Sequence, residues 1–139
     1  MGSLQVVFDT NVLVSAIGFG GTPWDCLVLA FVGDIEMVTT EAAIAEFERV
    51  LGYDRLPFTE AERDQYPALI RAEATVVDPD ESVQMIDDDP DDDLFLETAL
   101  EAEADYIVSG DPHLTDLGVF RDIDLVSPSD FLEEAGARL

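Results

Sequence analysis

Val6-Val7-Phe8-Asp9 and Tyr106-Ile107-Val108-Ser109-Gly110-Asp111 are two short apolar runs that each close on an aspartate. Each acid is followed by polar or breaker residues and then by a stretch of helical character. Open α/β sheets place ligand sites beyond the carboxyl ends of their strands. Two carboxylates brought together there would repel unless a cation or a proton lay between them. The pair therefore predicts a divalent-metal site at the end of a sheet.

Strand and helix patterns alternate outward from these runs. Leu4 to Phe8 reads as a buried strand and Asn11 to Ile17 as a helix closed by Gly18. Pro23, a good first-turn residue, opens a helix through about Val32. Ile35 to Val38 is a short strand, and Thr40 caps a helix with Ala43, Ile44, Phe47, Val50 and Leu51 on its inward stripe. Thr59 with Glu62 forms a capping-box pattern. The helix it opens runs to about Ala74, kinked or split at Pro67. Val76-Val77 is a weak strand signal. The acidic run Asp87 to Asp93 leads into a helix with Phe95, Leu96, Ala99, Leu100 and Ala102 inward. Tyr106 to Val108 and Ile123 to Val126 are the last strands, with Leu114 in a helical turn between them. Ser127 or Ser129 caps a terminal helix carrying Phe131 and Leu132. No repeat, linker or second core interrupts the 139 residues. The expectation is a single α/β domain over residues 1–139, three-layered α/β/α around a central, mostly parallel sheet.

Charge sets the working environment. The chain holds 32 Asp plus Glu against 6 Lys plus Arg, all six of them arginine, for a formal net charge of −26. Such a surface repels itself in dilute buffer. At about 1 M salt the Debye length falls to roughly 3 Å and most of that repulsion is screened. The composition resembles that of proteins from salt-loving archaea. Hydrophobic residues make up 47% of the chain, enough for a real core. Cys26 is the only cysteine, so no internal disulfide and no cysteine-based zinc site can form. Beside Trp24 and Leu27 it reads as a small buried hydrophobe. His113 is the only histidine. The longest apolar stretch, Leu27 to Val32, is too short to span a bilayer. No basic region precedes the first apolar run, as a signal peptide would require. A soluble cytoplasmic protein is expected.

Two helices offer further ligands to the strand-end pair. Glu46 lies mid-helix off the centre of its apolar stripe, where position alone does not separate it from Glu41 or Glu48. In the run Asp87 to Asp93, most members read as a salt-adapted face with acids at a helix N-terminus. An EF-hand fails there, because position six lacks glycine and position twelve is Thr98. A helical wheel puts Asp92 near the centre of the apolar stripe and Asp93 at its edge, so the wheel leans to Asp92 and leaves both open.

Three segments, in order, then resemble one family. Val7-Phe8-Asp9-Thr10-Asn11-Val12-Leu13-Val14-Ser15-Ala16 is similar to the opening motif of the PIN-domain nucleases. Ala43-Ile44-Ala45-Glu46-Phe47-Glu48-Arg49-Val50-Leu51 resembles their middle helix. Asp91-Asp92-Asp93-Leu94-Phe95-Leu96-Glu97-Thr98-Ala99-Leu100 with Ala104-Asp105-Tyr106-Ile107-Val108-Ser109-Gly110-Asp111 resembles their closing half. The likeness is greatest to prokaryotic members described as toxins of toxin–antitoxin pairs.

The resemblance implies a Mg²⁺- or Mn²⁺-dependent ribonuclease whose acid cluster is Asp9, Glu46, Asp93 and Asp111. Asp9, Asp93 and Asp111 would hold metal, and Glu46 would hold a second ion or orient the attacking water. The family's spacing favours Asp93 over Asp92, against the lean of the wheel. Thr10, Asn11, Ser109 and His113 would support the site or touch substrate. His113 stands where many members carry a further acid, with Asp116 a turn later, which leaves the second metal position open. An antitoxin partner and a homodimer are also implied.

Two other readings compete. Haloacid-dehalogenase-type phosphatases also use a strand-end Asp and a later Gly-Asp, which Gly110-Asp111 with Asp116 imitates. Their first motif wants a second Asp where this chain has Asn11, and they need a cationic side chain, usually lysine, which is absent here. The third reading is a PIN-like protein that binds RNA or a partner without cutting. Nucleic-acid binders ordinarily show a basic face, and the cations here are only Arg49, Arg55, Arg63, Arg71, Arg121 and Arg138. Arg49 and Arg55 flank the Glu46 region, where they are placed to meet phosphates.

Overall fold

The computed structural model describes residues 4–79 and 90–138, with the side chains of residues 90–93, 137 and 138 excepted. Six strands form one sheet: β1 (Leu4–Phe8), β2 (Ile35–Thr39), β3 (Thr75–Val76), β4 (Tyr106–Val108), β5 (Val119–Phe120) and β6 (Ile123–Val126). Among the described residues there are seven helices: α1 (Thr10–Phe19), α2 (Gly21–Phe31), α3 (Glu41–Leu51), α4 (Glu60–Glu73), α5 (Pro90–Ala102), α6 (Pro112–Thr115) and α7 (Pro128–Arg138). The strand order is β3-β2-β1-β4-β6-β5. Every pairing is parallel except β5 with β6. This is the expected α/β/α architecture with a mostly parallel sheet.

The alternation of side chains along each strand builds the two outer layers. Val6, Phe8, Tyr106 and Val108 face one core with α1, α2, Phe47, Ile70 and Phe131. Val7, Ile107, Ile123 and Leu125 face a second core with Phe95, Leu96, Ala99 and Leu114. Strands covered on both faces read as continuous apolar runs, which is why β1 and β4 lack polar alternation.

The chain moves from β1 out to β2 and β3, then returns to the other side of β1 to lay down β4. The reversal makes the gap between β1 and β4 the topological switch point, the position where such sheets bind ligands. Asp9 and Asp111 follow those two strands. The Asp9 N–H donates to the Val108 carbonyl at 3.1 Å, tying the two strand ends together.

Several boundaries differ from the sequence expectation for clear reasons. Helix α1 starts at Thr10, capped by Asp9, and runs through Gly18 to Phe19. Gly18 is not a stop signal: a Cβ there would lie 2.8 Å from the Phe58 ring, so glycine lets that ring pack against the helix. The turn falls instead at Gly20 and Gly21, whose φ angles of 71° and 69° suit glycine. Helices α1 and α2 consequently meet at 100°. Helix α4 is not split at Pro67, which is buried in the same helix as buried Ile70. The Thr59–Glu62 capping box is present with both hydrogen bonds. Ser127 rather than Ser129 caps α7, accepting from the Asp130 N–H at 3.2 Å. Strand β5 has no counterpart among the expected elements, because two residues carry too little periodicity to read.

Cys26 is fully buried and its thiol donates to the Pro128 carbonyl at 3.3 Å. Burial, with Asp25 beside it, pushes its pKa up to about 12. It is a packing residue, as its neighbours in sequence suggest. No single helix among the described residues is long and apolar enough to cross a membrane.

Candidate active site

Among the acids whose side chains are described, Asp9 alone is buried, at 3% exposure. An ionised carboxylate in such a place needs hydrogen bonds or a counter-charge. One oxygen, Oδ1, accepts the Val12 N–H at 2.8 Å and so caps α1. The other, Oδ2, accepts a hydrogen bond from the Ser109 hydroxyl. Ser109 in turn accepts the Asp111 N–H at 2.9 Å. One buried hydroxyl thus links the acid after β1 to the acid after β4.

Asp111 is half-buried and holds the first turn of α6, its Oδ1 accepting the His113 N–H at 2.9 Å. In the same cleft, the Thr10 hydroxyl donates to Glu46 Oε2 at 2.6 Å. Arg49, one turn further along α3, lies 3.6 Å from Glu46 Oε1. These groups converge on a cleft of about 170 Å³ lined by Asp9, Thr10, Asn11, Glu46 and Asp111, and also by Tyr53, Arg55 and Phe95. A larger groove of about 530 Å³ lies between α3 and α4, lined by Glu48, Arg63 and Arg71 among others. It has no buried titratable group, so the smaller cleft is the better candidate for chemistry.

Burial raises the Asp9 pKa from 3.8 to about 6, opposed by the hydrogen bonds from Ser109 and Val12 and reinforced by the charges of Asp111 and Glu46. The cleft therefore concentrates negative charge that only a proton or a cation relieves. Replacing Ser109 by alanine should remove one of those hydrogen bonds and raise the Asp9 pKa further. The expected cost is about 1–3 kcal/mol at neutral pH, measurable by denaturation of the metal-free protein at pH 7.

The structure brings together Asp9, Thr10, Asn11, Glu46, Ser109 and Asp111. His113 is exposed and is not among the residues lining the cleft; its backbone N–H is what holds Asp111. Asp92 and Asp93 lie within α5, and their side chains are outside the described residues. Phe95, two residues on from Asp93, borders the cleft and brings the start of α5 beside it. Among the described residues, no three His, Cys, Asp or Glu side chains are grouped closely enough to hold a metal ion. Tyr53 is a cleft residue that the sequence motifs do not single out. Its signal is the Tyr53-Asp54-Arg55 triplet, an aromatic and a cation following the Glu46 helix.

The architecture and the site residues are accompanied by a direct family match: a model of the PIN domain fits residues 5–113. The chain belongs to the PIN-domain family. The match includes β1 from Gln5 onward, the Glu46 helix α3 and β4, and reaches His113. No curated protein matches this PIN-domain sequence significantly. Among solved structures, the chain is similar to VapBC2 from Rickettsia felis, in a crystal with a DNA fragment from their promoter, at TM-score 0.60 and 12% identity over 88% of this chain and 97% of that one. It is also similar to PAE2754 from Pyrobaculum aerophilum, at TM-score 0.63 and 12% identity over 99% of this chain and 94% of that one. At that identity the likeness establishes the PIN-like fold.

Proposed function

We propose that this protein is a cytoplasmic Mg²⁺- or Mn²⁺-dependent endoribonuclease that cuts RNA at the Asp9–Asp111 cleft. The observation that carries the reading is the buried Asp9 carboxylate at the sheet's switch point, with Asp111 and Glu46 adding negative charge around it. Membership of a family whose domains are generally nucleases supports it.

The donor set suits a hard cation in kind, since Mg²⁺ and Mn²⁺ prefer carboxylate oxygens. Asp9 and Asp111 would hold the ion, with Asp93 as the third ligand by resemblance to the family. A bound ion would supply an activated water and neutralise charge on the phosphoryl oxygens. The chain's own groups do the positioning. Ser109 fixes the orientation of Asp9 and, through the Asp111 N–H, the backbone that carries the second acid. Thr10 holds Glu46 in the cleft, where it would orient water or hold a second ion. Arg49 and Arg55 bring positive charge to a cleft that would otherwise repel a phosphodiester.

The resemblance to toxin-type PIN proteins also supports a toxin role beside an antitoxin partner, and a homodimer. The fold shared with the promoter-bound VapBC2 assembly points the same way. The test is cleavage of assorted RNAs in high salt with and without Mn²⁺. Cleavage should require the ion and disappear with chelator. Tight RNA binding with no cleavage in Mg²⁺ or Mn²⁺ would overturn the nuclease and leave a binding protein.

A further inference from the structure

The segment after α3 turns back toward the cleft and carries an aromatic ring and a guanidinium together. The Arg55 Cζ lies 5.2 Å from the centroid of the Tyr53 ring, a cation–π distance. Both residues line the same cleft as Asp9, Glu46 and Asp111. Tyr53 is 39% exposed, so part of its ring surface is open to solvent.

This platform is held in place. The Tyr53 N–H donates to the Val50 carbonyl at 3.1 Å, and the Leu56 N–H donates back to the Tyr53 carbonyl at 3.0 Å, closing a tight turn. Leu56 and Phe58 then pack onto the core, Phe58 directly over Gly18 of α1. Since Asp9 caps that helix, the segment that follows the Tyr53–Arg55 turn packs on the same helix that Asp9 opens.

We infer that Tyr53 and Arg55 form a nucleotide clamp beside the acids of the cleft, the ring stacking on an RNA base and the guanidinium meeting the adjoining phosphate. The inference rests on the nuclease reading for its placement beside a scissile bond. A base must be unpaired to present its face to a tyrosine. Duplex RNA would offer only its backbone to a cleft of about 170 Å³. The clamp also suits a chain of net charge −26 in concentrated salt. Screening there weakens phosphate contacts, while stacking on an aromatic ring persists.

The test uses a fluorescent single-stranded RNA hexamer. Equilibrium binding is measured by anisotropy in the non-cleaving Asp9→Asn protein, and kinetics in the wild-type background with Mn²⁺. Tyr53→Ala should weaken hexamer binding about tenfold or more and raise KM with little change in kcat. Tyr53→Phe should restore affinity. Arg55→Ala should lose affinity at low salt but little at about 2 M KCl, where screening is strongest. Arg55→Lys should recover only part of the loss, because lysine keeps charge without the stacking plane. Melting temperatures should stay unchanged, which separates the clamp from a structural role. Unchanged hexamer affinity in both alanine variants, with wild-type cleavage intact, overturns the clamp and leaves the nuclease standing. Affinity lost in Tyr53→Ala without any wild-type cleavage keeps the clamp and overturns the nuclease. Absence of both RNA binding and cleavage overturns both.

Discussion

Asp9→Asn is expected to lower RNA cleavage by more than about a hundredfold while leaving the fold intact. Removing a residue that merely supports a metal ligand already costs about 10–100-fold, and Asp9 is proposed as a ligand itself. Asparagine is as good a helix cap as aspartate, so the hydrogen bond to the Val12 N–H survives. The same substitution should change how stability depends on pH. In the wild type, burial raises the Asp9 pKa from 3.8 to about 6, so the folded state favours its protonated form. That contribution is fully present below the unfolded-state value and is lost as pH rises through about 6. A shift of roughly two units corresponds to about 3 kcal/mol. Metal-free wild type should therefore lose stability between pH 4 and 6 relative to Asp9→Asn, whose profile should be flatter. At pH 7, Mn²⁺ should raise the melting temperature of wild type more than that of the variant. Identical pH profiles for the two metal-free proteins, or undiminished cleavage by the variant purified free of host nuclease, would sink the role assigned to Asp9.

Phe131→Ala should severely destabilise the core. The ring is fully buried and packs edge-on against Phe8 at 6.4 Å and Tyr106 at 5.3 Å between centroids. Phe8 immediately precedes Asp9, so α7 braces the end of the strand that delivers the buried acid. Truncating a buried phenylalanine costs about 3–5 kcal/mol, roughly 10–20 °C of melting temperature for a chain of this size. Phe131→Leu fills much of the space and should fold at a smaller cost. Thermal melts at matched salt measure both. A loss under about 1 kcal/mol in Phe131→Ala would show that the α7 side of the core is not closely packed.

The legible parts of the molecule are those whose signals are local. Thr40 and Thr59 cap helices because their hydroxyls reach N–H groups three residues on, at 3.1 Å in both cases. The β1 and β4 runs announce themselves through unbroken apolar residues ended by an acid. Gly18 does not close its helix, and Pro67 does not split its own, for a shared reason. Each is a breaker by backbone preference, but packing around it outweighs that preference: Phe58 against Gly18, and burial in the α4 face for Pro67. Glu46 cannot be told from Glu41 or Glu48 by periodicity. The Thr10 hydroxyl at 2.6 Å and a place in the cleft wall single it out, and both depend on α1 lying against α3.

Residue order alone carries the alternation of strands and helices, the parallel character of the sheet, and the two aspartates at its strand ends. Those properties follow from side-chain periodicity and from caps acting over three or four residues. The convergence of Asp9 with Asp111 belongs to another level. It exists because β4 is laid down beside β1 instead of beside β3, which places both carboxylates at the switch point and one of them out of water. Strand order is set by how the two apolar faces of the sheet are shared among the helices, a property of the assembled layers. Burial of Asp9, its linkage to Asp111 through Ser109, and the return of Tyr53 and Arg55 to the same cleft are consequences of that assembly.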